Sequence, residues 1–388
     1  MITVEAALAA VIALAAPLPS QIVPLAQANG RYMPKPALAK RDQPPFAASA
    51  MDGYAVNGTA SPGACFTVIG EAGAGHAFEG SLAPGQALRI FTGAPVPDGA
   101  TCVVIQEDVI ARDSQITLGG KLDAGTNIRP AGQDFRAGDS LGPRLLRPND
   151  IALLAAMNLA EVAVTRRPVV AIIATGDELV MPGDVPRADQ IIASNSFALK
   201  AMVQDAGGIG RMLPIARDTE RALSMVLEMA LDADLIVTIG GASVGDHDLV
   251  GRVAAQMGLQ RAFYQIAMRP GKPLMAGRLG SVPMLGLPGN PVSAIVCGHL
   301  FLLPMLRAMS GQGTAPQTEQ IAELAVDIPA NGPRTHYMRA RLSGGLITPF
   351  DRQDSALLTI LTQANALLIR PLGDNARRAG EPVRYMPI

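Results

Sequence analysis

Three short apolar runs constrain this chain more than any other feature. VVAIIA (169–174), LIVTI (235–239) and VPMLGL (282–287) each lead through small and polar residues into a helical pattern. Runs so short, unbroken and rich in branched residues read as strands buried on both faces. Helices are expected over 196–206 and from Asp218, Asp248 and Pro291. Further strands are expected at 211–216 and 262–267, with a hairpin through KPLMAG (272–277) and VPMLGL. Strand and helix alternating at this spacing predict an α/β unit over 166–312, a doubly wound, mostly parallel sheet. Ligands of such sheets bind beyond the carboxyl ends of the strands.

At 388 residues the chain exceeds one ordinary core, so several domains are expected. With 49% hydrophobic and 17% charged residues it has the apolar material to fill them. Upstream, CFTVIG (65–70), ALRIFTG (87–93), CVVIQEDVIA (102–111) and QITLG (115–119) form a β pattern cut by Gly- and Pro-rich turns. This region, 46–127, reads as a β domain inserted into a split N-terminal mixed domain made of 1–45 and 128–165. A short helix there opens at Pro148-Asn149-Asp150. After the linker GQGTAPQ (311–317), alternating strands, a Gly344-Gly345 turn and a last strand VRYMPI (383–388) predict a small β-barrel or sandwich over 313–388.

Charge excludes several functions. The 32 Lys plus Arg nearly balance 33 Asp plus Glu, so no global field favours nucleic acid or an anionic membrane. The lack of Trp and the scarcity of Tyr and Phe disfavour stacking on single strands. Cys65, Cys102 and Cys297 lie far apart without a C-x-x-C pair. That disfavours a structural zinc site or a disulfide framework and points to a reducing, cytoplasmic setting. Residues 4–17 could pass for a signal-peptide core, but they carry Glu5 and lack a basic start, so they read as a first buried helix ended by Pro17 and Pro19. No run is read as reaching the roughly 18–20 unbroken apolar residues of a membrane span, and the expectation is a soluble protein.

The strand ends carry the chemistry. After VVAIIA comes ATGDEL (174–179), where Thr175 and Gly176 precede two carboxylates, Asp177 and Glu178. Such carboxylates bind a divalent cation or a donor-rich ligand, or they cap the next turn, and both readings stand open. After LIVTI comes GGASVGDHD (240–248). Gly240, Gly241 and Gly245 let backbone approach a ligand, Ser243 adds a hydroxyl, and exposed N–H groups make an anion cradle. It is neither a Walker motif nor a G-x-G-x-x-G fingerprint, and a tight turn is the plain alternative. Asp248 faces the ligand or caps its helix. After VPMLGL comes LPGNPVSA (287–294): Pro288, Asn290 as cap, Pro291 at the helix start, and Ser293 in a first turn able to receive an oxyanion. Arg269 and Lys272 of MRPGKP (268–273) bracket a Pro-Gly turn, either as two anion-binding cations or as a solvated surface pair.

His76, His247, His299 and His336 show no metal-ligand spacing, and His299 on an apolar helix reads as a core residue. No G-x-S-x-G elbow and no Cys–His partnership marks a nucleophile. The 17 dispersed methionines suit core filling. The pattern favours electrostatic work on an anionic substrate.

Read together, SAMDGYAV (49–56), RIFTGAPVPDGA (89–100), IRPAGQDFRAGD (128–139), TGDEL, NSFAL, GGASVGDHD, RPGKP and GLPGNPVSA resemble the molybdopterin molybdenumtransferases of the MoeA family, which include the E domain of gephyrin. They occur in family order and cover most of 1–310; the last domain matches by layout. The resemblance implies a four-domain, elongated homodimer whose active site lies between the α/β domain of one subunit and the inserted β domain of the other. It implies a reaction of adenylylated molybdopterin (molybdopterin-AMP) with molybdate that yields molybdenum cofactor and AMP with the help of Mg2+. Handover to a molybdopterin adenylyltransferase or molybdoenzyme chaperones would follow.

By position, the resemblance makes Asp177, Glu178, Asp218 and Asp248 the acidic set for metal, nucleotide and pterin, with Glu178, Asp218 and Asp248 on the metal. Asp52 and Asp134 become the acidic residues contributed by the other regions. Arg269, Lys272 and Ser293 become pterin-phosphate or oxyanion contacts, and Arg339 and Ser355 molybdate contacts. Three positions depart from the family: Gln265 and Arg269 stand where lysines are common, and Asp354 replaces a usual glycine. They remove one cation, turn another into a planar fork and add a negative charge beside the molybdate contact. Two rivals follow from the same residues. One is an ATP-dependent molybdopterin adenylyltransferase, which leaves MDGYAV unexplained; the other is a non-catalytic pterin-binding scaffold.

Overall fold

The computed structural model describes residues 1–241 and 249–388. By internal contacts the chain divides into two units. One holds Met1–Gln21, Gly30–Pro34 and Val164–Ile388; the other holds Ile22–Asn29 and Lys35–Ala163.

The first unit contains a six-stranded sheet in the order Ile209–Met212, Val169–Ala174, Leu235–Ile239, Val282–Leu287, Pro273–Leu279, Leu259–Gln265. The first four strands are parallel, and the last two continue the sheet as antiparallel neighbours. Side-chain alternation explains the unbroken apolar runs. Val170, Ile172, Leu235 and Val237 enter one core, while Ala171, Ile173 and Ile236 enter another on the opposite face. The strand expected at 211–216 is Ile209–Met212, and the helix expected from Asp218 runs Glu220–Glu228. Thr219 caps that helix, its side chain accepting the Ala222 N–H at 3.2 Å.

Val4–Leu14 forms the expected N-terminal helix, and its buried face (Val4, Ala7, Val11) joins the α/β core. The sequence grouped residues 1–45 with 128–165 because an Ala-rich helix does not say which core will cover it. The reading of no membrane-length run also needs correction. Pro291–Met309 is long and apolar enough by length and composition, and 72% of its most apolar 18-residue stretch is buried inside the fold. A π-helical turn over Gly298–Leu302 joins its two α-helical segments, Pro291–Cys297 and Leu303–Met309. Burial identifies it as a core helix.

The carboxyl-terminal strands Gln320–Leu324, Thr335–Ser343, Leu346–Pro349, Ala366–Arg370 and Pro382–Pro387 close into a barrel through pairing of Thr335–Ser343 with Ala366–Arg370. Gly344 and Gly345, at φ +58° and +84°, make the two-residue hairpin turn foreseen from the sequence.

The second unit has a six-stranded sheet in the order Cys102–Ile105, Gly53–Val56, Gln86–Ile90, Cys65–Ala72, Gln115–Leu118, Val109–Arg112. Gly53 of MDGYAV sits where a Cβ would lie 2.0 Å from the Val104 carbonyl oxygen, so only glycine permits this pairing. Its helix Pro148–Ala156 begins as expected, with the Asp150 carboxylate accepting the Arg147 N–H at 2.8 Å.

One buried ion pair pins the barrel end. Arg370 meets Asp374 at 2.7 Å with side chains 3% and 8% exposed, and Arg370 also donates to the Pro329 and Asn375 carbonyls. Burial raises the Asp374 carboxyl pKa, but hydrogen bonds from Arg377 and Arg370 outweigh it and hold the pKa below the ordinary value. A depressed carboxylate stabilises the fold above its unfolded pKa, near ~4, and that contribution is lost as pH falls through the folded value. Asp374→Ala is therefore expected to cost about 3–5 kcal/mol at neutral pH by stranding Arg370. In pH-dependent denaturation the deficit should shrink below about pH 4; a constant deficit would contradict this account.

Candidate active site

The ladder of the parallel sheet continues past the strand ends. The Thr175 N–H donates to the Ile239 carbonyl at 3.0 Å, Gly240 N–H to Leu287 at 3.0 Å, and Gly176 N–H to Ala216 at 3.1 Å. These bonds seat the first residues of each loop on its neighbour. Above them opens a cavity of about 930 Å³ lined by Thr175, Gly176, Glu178, Asp218, Gly240, Gly241, Pro288 and Asn290, all singled out from the sequence. Asn195, Arg252 and Pro273 complete its polar and rigid wall. Arg252 pairs with Glu220 at 3.3 Å at this rim.

Glycine is required here by close approach. Gly240 and Gly241 lie at φ +87° and +62°, and a Cβ on Gly241 would fall 2.4 Å from Val250 Cγ2. Gly176, at φ +142°, lies under the Glu178 carboxylate, where a Cβ would be 2.2 Å from Oε2. Asp177 takes a different role: its Oδ1 accepts the Asp218 N–H at 3.1 Å, and Arg217 donates to the Asp177 carbonyl at 2.9 Å. It seats the Asp218 loop, and the cavity wall lacks it. Ser243, Gly245 and Asp248 lie outside the described residues. Among the described residues, no three His, Cys, Asp or Glu side chains gather into a metal cluster.

The helix at Pro291 departs from its expected cap. Asn290 holds the cap position, yet its side chain donates to Ser355 Oγ at 3.0 Å, and the Val292 N–H donates to the Ser355 carbonyl at 3.0 Å. A barrel loop thus covers the first turn and takes one of the amides expected to receive an oxyanion. Ser293 is buried in that turn, outside the cavity wall. Lys272 and Arg269 flank the Pro-Gly turn, whose Gly271 packs on Cys297 so closely that a Cβ would lie 2.6 Å from Sγ. Arg269 lies in register with His336 of the barrel.

Arg339 is the most unusual cation. Its side chain is fully buried, and Nη2 donates to the Asp354 carbonyl at 2.9 Å. Its Nε and Nη1 have no hydrogen-bond partner among the described residues. Gln353 clamps its backbone, accepting from Arg339 N and donating to Arg339 O, both at 3.0 Å. Burial and then nearby Arg269 lower the guanidinium pKa, while Asp354 opposes them. The Asp354 carboxylate itself accepts the Ala356 N–H at 2.8 Å. His336 is pushed down to about 4 by burial and by Arg269, Arg339, Arg370 and Arg334, so it is neutral near pH 7. Burial raises the Cys297 thiol well above its ordinary value and lowers His299 to about 4.

In the second unit, Asp52 Oδ1 accepts both the N–H and the hydroxyl of Thr92, at 2.7 and 2.8 Å. These bonds, the backbone one first, hold its carboxyl below the usual range. The sequence reading missed Thr92; its only signal was the Thr-Gly step after the RIF strand. Asp134 lines a separate cleft of about 560 Å³ with Phe46 and Arg129.

Family models match in order along the chain: the MoeA N-terminal region (domain I and II) over 2–158, a probable molybdopterin binding domain over 171–308, and the MoeA C-terminal region (domain IV) over 322–388. Molybdopterin molybdenumtransferases of Nostoc sp. and Bacillus subtilis are 35% and 33% identical to it, over 95% and 92% of this chain and 89% and 87% of theirs. This chain belongs to the MoeA family. A molybdopterin biosynthesis MoeA protein of Pyrococcus horikoshii superposes with a TM-score of 0.86 at 30% identity, covering 100% of this chain and 99% of that one. The multi-domain MoeA architecture, an α/β sheet with mixed β regions and a carboxyl-terminal barrel, is the one observed here.

In this MoeA chain Gly176→Ala should force the backbone out of φ +142° or drive Glu178 off its seat. The expected loss is about 1–3 kcal/mol in denaturant unfolding. A crystal structure of the variant with Glu178 undisplaced and stability unchanged would refute the packing argument.

Proposed function

We propose that this chain is a molybdopterin molybdenumtransferase: it takes adenylylated molybdopterin and molybdate and releases molybdenum cofactor and AMP. The observation that carries the reading is Arg339, fully buried with two guanidinium nitrogens unpartnered. Leaving charged donors unmet in a protein interior is costly unless an anion completes them. A planar fork suits a tetrahedral oxyanion, and Arg269, close enough to lower the Arg339 pKa, adds positive field. Lys272, Ser293 and Ser355 are proposed as further contacts to molybdate or the pterin phosphate.

In the cavity at the strand ends, Thr175, Gly176, Gly240, Gly241, Pro288 and Asn290 are proposed to hold the adenylylated substrate. The donor set fits Mg2+, because Glu178 and Asp218 bring two hard carboxylates to the lining of one cavity. Magnesium characteristically takes one or two carboxylates and leaves its other positions to phosphate and water. Asp248 is the proposed third acid. Bound there, the ion would neutralise charge on the departing AMP. The chain's own part is to bring two repelling anions together and to hold them by fixed charges.

The proposal extends to a cytoplasmic homodimer in which Asp52 and Asp134 serve the same reaction, with handover to an adenylyltransferase or to molybdoenzyme chaperones. It keeps the four-part division 1–45 with 128–165, 46–127, 166–312 and 313–388; the pairing of Ala37–Leu38 with Ser140–Leu141 supports the split, while the helix Val4–Leu14 packs in the α/β core.

Mixing the protein with adenylylated molybdopterin, Mg2+ and molybdate should release AMP only when molybdate is present. Molybdate-independent release, or none, would overturn the reading. Glu178→Gln should lower turnover at least about a hundredfold, as loss of one charge-stabilising group does. Its melting temperature should stay near that of the parent, because Glu178 is exposed. Equal losses in both would make Glu178 structural. Asp354→Gly keeps the carbonyl that holds Arg339 and removes the opposing charge. Molybdate affinity, read by titration calorimetry, should hold or tighten, and a clear weakening would show that the aspartate serves the site.

A further inference from the structure

We infer that the cleft at Phe46 in the second unit reads the 2-amino-4-oxopyrimidine edge of a pterin, with Asp134 accepting its two donors. The assignment rests on the molybdopterin reading above and gives the ring end of that substrate a place of its own.

The cleft is built from backbone that is laced on both sides. The Gln43 N–H donates to Phe135 O at 2.8 Å, Asp134 N–H to Gln43 O at 2.9 Å, and Gly132 N–H to Pro44 O at 2.8 Å. Arg129 pairs in antiparallel register with Ala48. Phe46, 40% exposed, lines this cleft together with Arg129, Gln133 and Asp134. Nearby carboxylates are occupied: Asp139 accepts Arg136 N–H and Asp42 accepts Ala137 N–H. In contrast, the Arg129 guanidinium, the Gln133 amide and the Asp134 carboxylate make no hydrogen bond or ion pair with any described residue. Two opposite charges share one cleft without pairing, beside an available aromatic face.

That set selects among planar ligands. An ionised carboxylate only accepts, and its two oxygens match two adjacent N–H donors. A pterin presents such a pair, the ring N–H and the 2-amino group, beside a carbonyl that Arg129 or Gln133 can meet. Adenine presents one donor next to an acceptor, and the acceptor would face the carboxylate lone pairs. Phe46 supplies stacking, which does not distinguish rings.

The test uses the whole protein with pterin itself (2-amino-4-oxopteridine), followed by its own fluorescence anisotropy. Pteridine-2,4-dione, which presents a carbonyl in place of the 2-amino group, and adenosine serve as comparators. The wild type should prefer pterin over the dione by about tenfold or more, the scale of one bidentate contact. Asp134→Asn should erase that preference, and Phe46→Ala should weaken both pteridines alike. Both residues are exposed, so unchanged melting temperatures check that the variants fold. Absence of pterin binding, a preference that survives Asp134→Asn, or adenosine displacing pterin with higher affinity would each overturn the assignment. Molybdate-dependent AMP release is measured separately, so loss of the transferase reading with pterin selectivity intact would be distinguishable.

Discussion

The candidate site depends on backbone hydrogen bonds that run one or two residues beyond the parallel strands. Thr175, Gly176 and Gly240 each spend their N–H on a neighbouring segment, so the loops leave the sheet from fixed points. Fixing those points forces φ values that only glycine takes easily, and the missing Cβ atoms then open the space a ligand would fill. Rigidity and concavity come from the same few residues. A strand-end cavity therefore needs no specialised loop length, only glycine where two strands and a helix converge.

Charge is then sorted by environment. The carboxylates Glu178 and Asp218 stay at an exposed rim, where a hydrated cation can reach them. Arg339 is buried, where its unmet donors are strongest and hardest to satisfy by anything but an anion. His336, neutral among four arginines, adds to that region without adding charge.

The loop over residues 350–357 links these features within the first unit. Its carbonyls hold Arg339, Gln353 clamps the Arg339 backbone, and Ser355 covers the first turn of the Pro291 helix. Asp354 sits at the centre of this loop with its carboxylate turned to the Ala356 amide. Asp354 thus supplies a local turn as well as a charge.

Much of this was legible in the sequence for a physical reason. Unbroken branched runs such as VVAIIA can be satisfied only inside a sheet covered twice, and the glycine loops that follow them reveal where a ligand approaches. Long matching motifs made the family plain. Other facts had no local signal. That Asp177 seats the Asp218 amide, that Asn290 turns to Ser355, and that Thr92 holds Asp52 are contacts between segments 40 or more residues apart. A residue's neighbours in sequence fix its backbone preference, whereas its hydrogen-bond partner is fixed by whichever distant segment folding brings alongside. The sequence alone determined which strands must be buried and where backbone must approach a ligand. Only the tertiary structure decided which side chains remain unpaired there, because an unmet donor is a property of everything packed around it.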